Sequence, residues 1–156
     1  MTRLTNDILE LKFLDSKGKI VRLSDFAHKY LVLYFYPKDD TPGCTVEACS
    51  FRDANQEIKK LGVEVIGVSK DELKSHQKFS EKHNLNFTLL SDPEHKLQDA
   101  FGVWQKKKFL GREYMGTART TFIIGPDGNI LKQFDNVKPK GHAEEVLKEL
   151  KKLLTK

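Results

Sequence analysis

The sequence predicts an α/β fold: a central mixed β-sheet flanked by helices. Three observations predict it. Leu31–Tyr36 and Val63–Val68 are continuous apolar runs rich in β-branched and aromatic residues, the pattern of strands buried on both faces. Between them the apolar period changes, and Cys44, Ala48, Phe51, Ile58 and Leu61 fall on one helical face. Near the C-terminus, Thr120–Ile124, the turn Pro126-Asp127-Gly128-Asn129, and Ile130–Phe134 read as an antiparallel hairpin. Strands alternating with helices call for a parallel centre, and the hairpin makes the sheet mixed.

The elements follow in order. Leu9, Leu11 and Phe13 alternate with polar residues, DSKGK turns the chain, and Ile20–Leu23 returns, so an N-terminal β-hairpin is expected. Ser24-Asp25-Phe26 leads into a short helical turn. Leu31–Tyr36 is the central strand. The helix after Cys44 stops near Gly62, a residue suited to the C′ position. Val63–Val68 is the next strand. Ser69 with Glu72 three residues on has the form of a capping box, opening a helix that runs to about His83. Phe87–Leu90 is a third strand, Pro93–Phe101 a short helix, and Val146, Leu147, Leu150 and Leu154 mark a last amphipathic helix. Trp104 is expected to fill core, and Lys106–Arg112 to form an exposed loop or hairpin edge.

Composition narrows the function. The chain of 156 residues suits one domain, taken here as residues 1–156, and can bury a real core. No apolar run is long enough to span a bilayer, and MTRLTNDILELKF has no signal-peptide core, so a soluble cytoplasmic protein without a membrane partner is expected. The net charge is +5, with lysines clustered at Lys106–Lys108 and in the tail at Lys148, Lys151, Lys152 and Lys156. Acidic residues are interleaved elsewhere, which argues for solvated surface lysines over a nucleic-acid footprint. The five histidines are scattered, and surface or capping roles are expected for them.

Both cysteines lie in one stretch, PKDDTPGCTVEAC, at Cys44 and Cys49. Two thiols in a reducing compartment are catalytic, metal-binding or incidental rather than a disulfide framework. The C-x4-C spacing is wrong for a zinc knuckle and no histidine is near, so no metal is expected, and no cofactor motif is present. Thr41 is a good N-cap and Pro42 a good first helical residue, which makes Gly43 the second and Cys44 the third. First-turn N–H groups and the helix dipole then favour a thiolate at Cys44 and can hold an oxygen beside it. The Thr41 hydroxyl should lie beside the thiol. Pro37 ends the preceding strand, and Gly43 lets the backbone come close. Asp39 and Asp40 oppose a thiolate unless a cation answers them or both point to solvent. Five helical residues separate the two Cα atoms by about 8.5 Å, beyond disulfide reach, so a bond between the cysteines requires the first turns to unwind. Cys49 is either a redox partner on those terms or a small buried filler.

These residues resemble the peroxiredoxins. Pro37-x-x-x-Thr41-x-x-Cys44 matches the P-x-x-x-T-x-x-C motif, and FYPKDDTPGCTVEACSFRD is similar to the bacterioferritin comigratory protein, or peroxiredoxin Q, branch, in which a second cysteine falls five after the first. LDSKGKIVRLSDF, VIGVSKDELKSHQKF, LLSDPEHKL and RTTFIIGPDGNI extend the resemblance along the chain. It implies a thioredoxin-like fold and a thiol-dependent peroxidase acting on hydrogen peroxide and organic hydroperoxides. Cys44 would be the peroxidatic cysteine, passing through a sulfenic acid. Cys49 would resolve it as an intramolecular disulfide, and thioredoxin would reduce that bond. The resemblance carries the site cation onto Arg119, with Arg52 and Arg112 as weaker candidates. Thr41 would orient the peroxide and Pro37 would shield the site. Glu47 would either position Arg119 or, as its place in the first turn suggests, be exposed. An intramolecular pair removes the chemical need for a dimer, so a monomer is expected. The competing functions are a thioredoxin-type thiol–disulfide oxidoreductase, which the absence of C-x-x-C opposes, and a basic binding protein with structural cysteines.

Overall fold

The computed structural model describes residues 3–154; Met1, Thr2, Thr155 and Lys156, the last of the tail lysines, lie outside the described residues. The elements run α1 (Asn6–Leu9), β1 (Phe13–Asp15), β2 (Ile20–Val21), a 3₁₀ turn (Leu23–Phe26), β3 (Tyr30–Phe35), α2 (Pro42–Lys60) and β4 (Val63–Ser69). There follow α3 (Leu73–Lys82), β5 (Thr88–Ser91), α4 (Lys96–Ala100), β6 (Trp104–Phe109), β7 (Arg112–Thr117), β8 (Thr120–Ile124), β9 (Ile130–Phe134) and α5 (His142–Leu154).

Seven strands form a sheet in the order β2-β1-β5-β4-β3-β8-β9, and β6 pairs with β7 apart from it. β3, β4 and β5 are mutually parallel, while β8 runs antiparallel to β3 with Phe35 opposite Thr120. The parallel centre and antiparallel flank are those expected. β3 shows why the run from Leu31 is apolar throughout. Leu31, Leu33 and Phe35 join one core with Ile66, Val68, Phe101 and Phe122, under α1 and α4. Val32, Tyr34 and Tyr36 join the other with Cys44, Ala48, Phe51 and Ile58 of α2 and Val146 and Leu150 of α5. The period-2 alternation of a strand feeds both layers.

Several expectations are corrected. Leu9 is the last residue of α1 rather than part of a strand, and the hairpin is confined to Phe13–Asp15 and Ile20–Val21. Ser69 does not cap α3: its hydroxyl donates to Asp71 Oδ2 at 2.7 Å, and the helix starts three residues later, with Glu72 at the N-cap. Trp104 is half-buried at the surface, stacked on the His95 ring at 4.3 Å with Lys70 Nζ 5.9 Å from its centroid. Lys106–Arg112 is a hairpin, one of the two forms expected for it, and its strands extend to Trp104 and Thr117. Its two-residue turn holds Leu110 at φ 52° and Gly111 at φ 80°. Leucine in the left-handed region costs roughly 1–2 kcal/mol.

Gly67 marks the tightest crossing beneath α2. A Cβ there would sit 2.8 Å from Tyr34 Cζ and 2.9 Å from Leu89 Cδ2. Gly67→Ala is expected to lower stability by about 1–3 kcal/mol, the cost of overpacking. Urea denaturation of the reduced protein measures it, and an unchanged midpoint would show that the Tyr34 ring moves freely.

Candidate active site

The site forms where β3 ends and α2 begins. Thr41 is the N-cap of α2 in extended conformation and Pro42 the first helical residue, as the sequence predicts. The Thr45 N–H already bonds the Thr41 carbonyl at 2.8 Å. The N–H groups of Gly43 and Cys44 are first-turn donors without a helical acceptor, and they point out of the helix end. Cys44 is buried against the second core. The Thr41 hydroxyl donates to the Lys38 carbonyl at 3.0 Å, closing the PKDD turn. Pro37 stands two residues after the last residue of β3, Phe35, and is half-buried.

Arg119 comes from the other end of the chain. β8 lies beside β3, so the two-residue link Ala118-Arg119 between β7 and β8 arrives at the carboxyl end of the central strand. Its carbonyl accepts from Val137 N–H at 3.1 Å, which anchors the backbone. Its guanidinium lies between two acceptors: Nη2 is 3.4 Å from Cys44 Sγ and Nη1 donates to Glu47 Oε1 at 2.7 Å. Burial disfavours that cation, but the charges and hydrogen bonds of Glu47 and Cys44 outweigh it and raise the Arg119 pKa. Gly43 makes the approach possible. A Cβ there would lie 3.2 Å from Arg119 Nη2 and 3.4 Å from Pro139 Cγ.

Glu47 corrects the sequence reading. It is fully buried rather than exposed, and Oε2 has no hydrogen-bond partner among the described residues. Burial pushes its pKa up to about 7 although the Arg119 charge and hydrogen bond pull it down. Beneath the site the same burial, with the negative charges of Glu47, Cys44 and Asp39, raises the Tyr34 phenol well above its ordinary value.

The two aspartates part company. Asp40, at φ 58°, is exposed and paired with Lys82 at 3.0 Å, and that hydrogen bond lowers its pKa. Asp39 is buried, not solvated. It accepts from Tyr36 Oη at 2.5 Å and Ser75 Oγ at 2.8 Å, and meets His76 Nδ1 at 2.7 Å. His76 is fully buried and its Nε2 faces the Leu90 carbonyl at 2.9 Å. A carbonyl only accepts, so Nε2 carries hydrogen, and the proton between Nδ1 and Asp39 makes this a closed buried pair. Asp71 Oδ2 completes it by accepting the Asp39 N–H at 2.7 Å. Asp39, Asp71 and His76 are close enough together to hold a cation, but both ring nitrogens are already engaged by protein groups. His142 is the second buried histidine. Burial lowers its pKa, and it lies between Thr121 Oγ1 at 2.7 Å and Glu145 Oε1 at 2.9 Å. The surface or capping role expected for the histidines holds for His83 and His95, which cap α3 and α4, whereas His76 and His142 are buried.

The remaining candidates lie elsewhere. Cys49 is half-buried inside the intact α2, and both cysteines are free thiols. Arg52 bonds Asp53 at 3.0 Å and the His83 carbonyl at 2.6 Å, and Arg112 is exposed at the β6–β7 turn. Lys107, which the sequence did not single out, is the hairpin residue that comes towards the site. Burial and then the Arg119 charge lower its pKa, while the Cys44 charge raises it.

A buried thiol at a helix N-terminus, backed by a partly buried arginine on a mixed α/β sheet, fits a thiol peroxidase of the peroxiredoxin class. Residues 5–133 match the AhpC/TSA family, and the chain belongs to it. Within that family it groups with the Bcp and peroxiredoxin Q proteins. It is 53% identical over 148 residues to peroxiredoxin Bcp of Bacillus subtilis, covering 95% of this chain and 93% of that one. With peroxiredoxin Bcp of Escherichia coli K12 it shares 47% identity over 137 residues, 88% of each chain. The bacterioferritin comigratory protein of Xanthomonas campestris superposes with a TM-score of 0.94 at 38% identity, over 99% of this chain and 98% of that one. Peroxiredoxin Q of Xylella fastidiosa does so with a TM-score of 0.93 at 38% identity, over 97% and 94%. The fold is therefore thioredoxin-like, as the resemblance implied. No described helix is long and apolar enough to cross a membrane.

The Glu47 environment generates a pH prediction. Its folded pKa, about 7, lies above the ordinary 4.5, so folding favours the protonated acid. That contribution is complete below the ordinary value and is lost as pH rises through about 7. Glu47→Gln removes the titration. The stability of the wild type relative to this variant should fall between about pH 5 and about pH 8. Urea titrations at both pH values measure it, and parallel pH dependence in the two proteins would refute the assignment.

Proposed function

We propose that Cys44 is the peroxidatic cysteine, Cys49 the resolving cysteine, and that thioredoxin recycles the enzyme. The observation that carries this reading is the Arg119 guanidinium 3.4 Å from Cys44 Sγ at the first turn of α2. The Cys44 thiolate attacks the terminal oxygen of a peroxide ROOH. The S–O bond forms as the O–O bond breaks, RO⁻ leaves and takes up a proton, and Cys44 becomes a sulfenic acid. Negative charge moves from sulfur to the departing oxygen during the step. Arg119 and the first-turn N–H groups stay beside that charge throughout, which is stabilisation of the transition state rather than of the thiolate alone. Thr41 and Pro37 shape the entrance, Thr41 fixing the turn through Lys38.

Cys49 then attacks the Cys44 sulfur. A Cys44–Cys49 disulfide forms and the sulfenic oxygen leaves as water. In a helix the two Cα atoms stand about 8.5 Å apart, so α2 must open from its N-terminus first. A dithiol reductant, thioredoxin, returns both thiols while becoming a disulfide itself. The substrates are hydrogen peroxide and organic hydroperoxides. The related X. campestris protein has alkyl peroxide reduction activity, which supports the second class. A monomer working in the cytoplasm satisfies this cycle, since both cysteines lie in one chain and the compartment keeps thiols reduced.

Two variants test the cycle. Cys44→Ser should abolish peroxide consumption. Cys49→Ser should consume one equivalent per chain and stop in a thioredoxin-coupled assay, holding a Cys44 sulfenic acid detectable as one added oxygen by intact mass. Steady turnover by Cys49→Ser would remove its resolving role. Arg119→Ala should slow Cys44 oxidation by about 10²–10³-fold, the usual loss for one charge-stabilising donor. Stopped-flow rates would show it, and a loss under tenfold would displace Arg119 from the reacting atoms.

A further inference from the structure

The β6–β7 hairpin stands outside the seven-stranded sheet, yet it leads into the site. β7 ends at Thr117, two residues before Arg119, and Lys107 of β6 lies within electrostatic range of both Arg119 and Cys44. Its outer end breaks two local rules. Phe109 is 67% and Leu110 88% exposed, and Tyr114 and Met115 behind them are about half exposed. Leu110 also occupies the first position of a two-residue turn with positive φ, where asparagine or glycine would be favoured. A leucine at that position gains nothing from the fold, either by burial or by conformation. Residues that violate local consistency without compensation mark functional surfaces. Aromatic residues, methionine and arginine are also the types enriched at protein interfaces.

We propose that the apolar tip formed by Phe109 and Leu110, with Arg112 and Tyr114, docks the protein dithiol that reduces the enzyme, through an apolar face with acidic surroundings. Charge selects the partner. Lys106, Lys107, Lys108 and Arg112 outnumber Glu113, which Lys106 and Lys108 share at 3.4 and 3.8 Å. Reach does so too. A reductant must bring a sulfur onto the Cys44–Cys49 bond, and a standard interface of about 800 Å² per partner spans about 30 Å. The strand from the tip at Arg112 to Thr117, two residues before Arg119, is six residues or about 20 Å long, within such a footprint. A small peroxide has no need of this surface, so the tip concerns the reductive half of the cycle.

The inference rests on the proposed thioredoxin recycling, and the test separates the two. Leu110→Asn suits the left-handed turn, so it preserves the hairpin while removing the apolar tip. Peroxide consumption is followed with the full chain under two reductants, thioredoxin and dithiothreitol. Leu110→Asn should lower kcat/KM for thioredoxin about tenfold or more, mostly through KM, and leave dithiothreitol turnover and stopped-flow Cys44 oxidation unchanged. Lys108→Glu should weaken thioredoxin use further and steepen as salt falls. If thioredoxin fails with the wild type while dithiothreitol works, the recycling reading falls, and the docking proposal with it. If thioredoxin serves wild type and Leu110→Asn equally, docking alone is overturned. Equal thioredoxin use combined with Leu110-dependent sedimentation on phosphatidylglycerol vesicles would likewise overturn it and make the tip a lipid contact.

Discussion

A partly buried guanidinium held against a thiol is the interaction on which the rest of this structure depends. Arg119 has one acceptor in Cys44 Sγ and another in Glu47 Oε1, and all three lie in or beside the core. A buried cation is tolerated only when its donors are used. The sheet order makes that possible. By inserting β8 next to β3, the fold brings residue 119 to the end of the strand that residue 44 follows. Gly43 then leaves the gap through which the guanidinium reaches the sulfur. Glu47 sits one turn beyond Cys44 on the same buried face, so one helix supplies both acceptors.

The same helix is asked for two incompatible things. Its intact first turn builds the site, with Thr41 capping, Pro42 entering and the Gly43 and Cys44 N–H groups left open. Disulfide formation requires that turn to come apart. The sequence of PGCTVEAC reconciles the two. Glycine at the second position and threonine and valine soon after are poor helix formers. Stability there comes from packing, through Cys44, Ala48 and Phe51, and from the Arg119 hydrogen bonds. In the proposed cycle, oxidation of Cys44 would change the sulfur that Arg119 contacts, and with it part of what holds the turn.

Much of this was legible in the sequence, for identifiable reasons. β3, β4, α2 and the β8–β9 hairpin carry strong periodicity or unmistakable turn residues. The entry to α2 was legible because Thr41-Pro42 is a local signal. Hidden features were long-range or contrary to pattern. Glu47 reads as a solvated first-turn carboxylate until Arg119 is placed beside it from 72 residues away. Asp39 and His76 are 37 residues apart, and nothing local marks either as buried. The β6–β7 segment was legible only as an exposed loop or hairpin edge, because β6 carries KKK and most of both strands is exposed or half-buried, leaving little alternation to mark their extent.

Under the proposed cycle, the Asp39–His76 pair would let one turn open without loss of the surrounding shape. Asp39 lies at the hinge between β3 and α2. Tyr36 holds it from the strand side and Ser75 and His76 from α3, while its own N–H is bound by Asp71. These contacts are buried and do not pass through Cys44. They fix the chain up to residue 39 whatever happens at residue 44. On the far side Phe51, Asn55 and Ile58 keep the rest of α2 in the core. The segment between Asp40 and Phe51 contains both cysteines, and the groups within it that would have to leave the core or the Arg119 pair are Cys44, Glu47 and Ala48. A buried acid–histidine pair is a costly way to fasten a loop. Under the proposed cycle it has a use: the clamp would confine unwinding to the residues around Cys44 and Cys49, so that the two sulfurs would meet in a short loop rather than in a disordered chain.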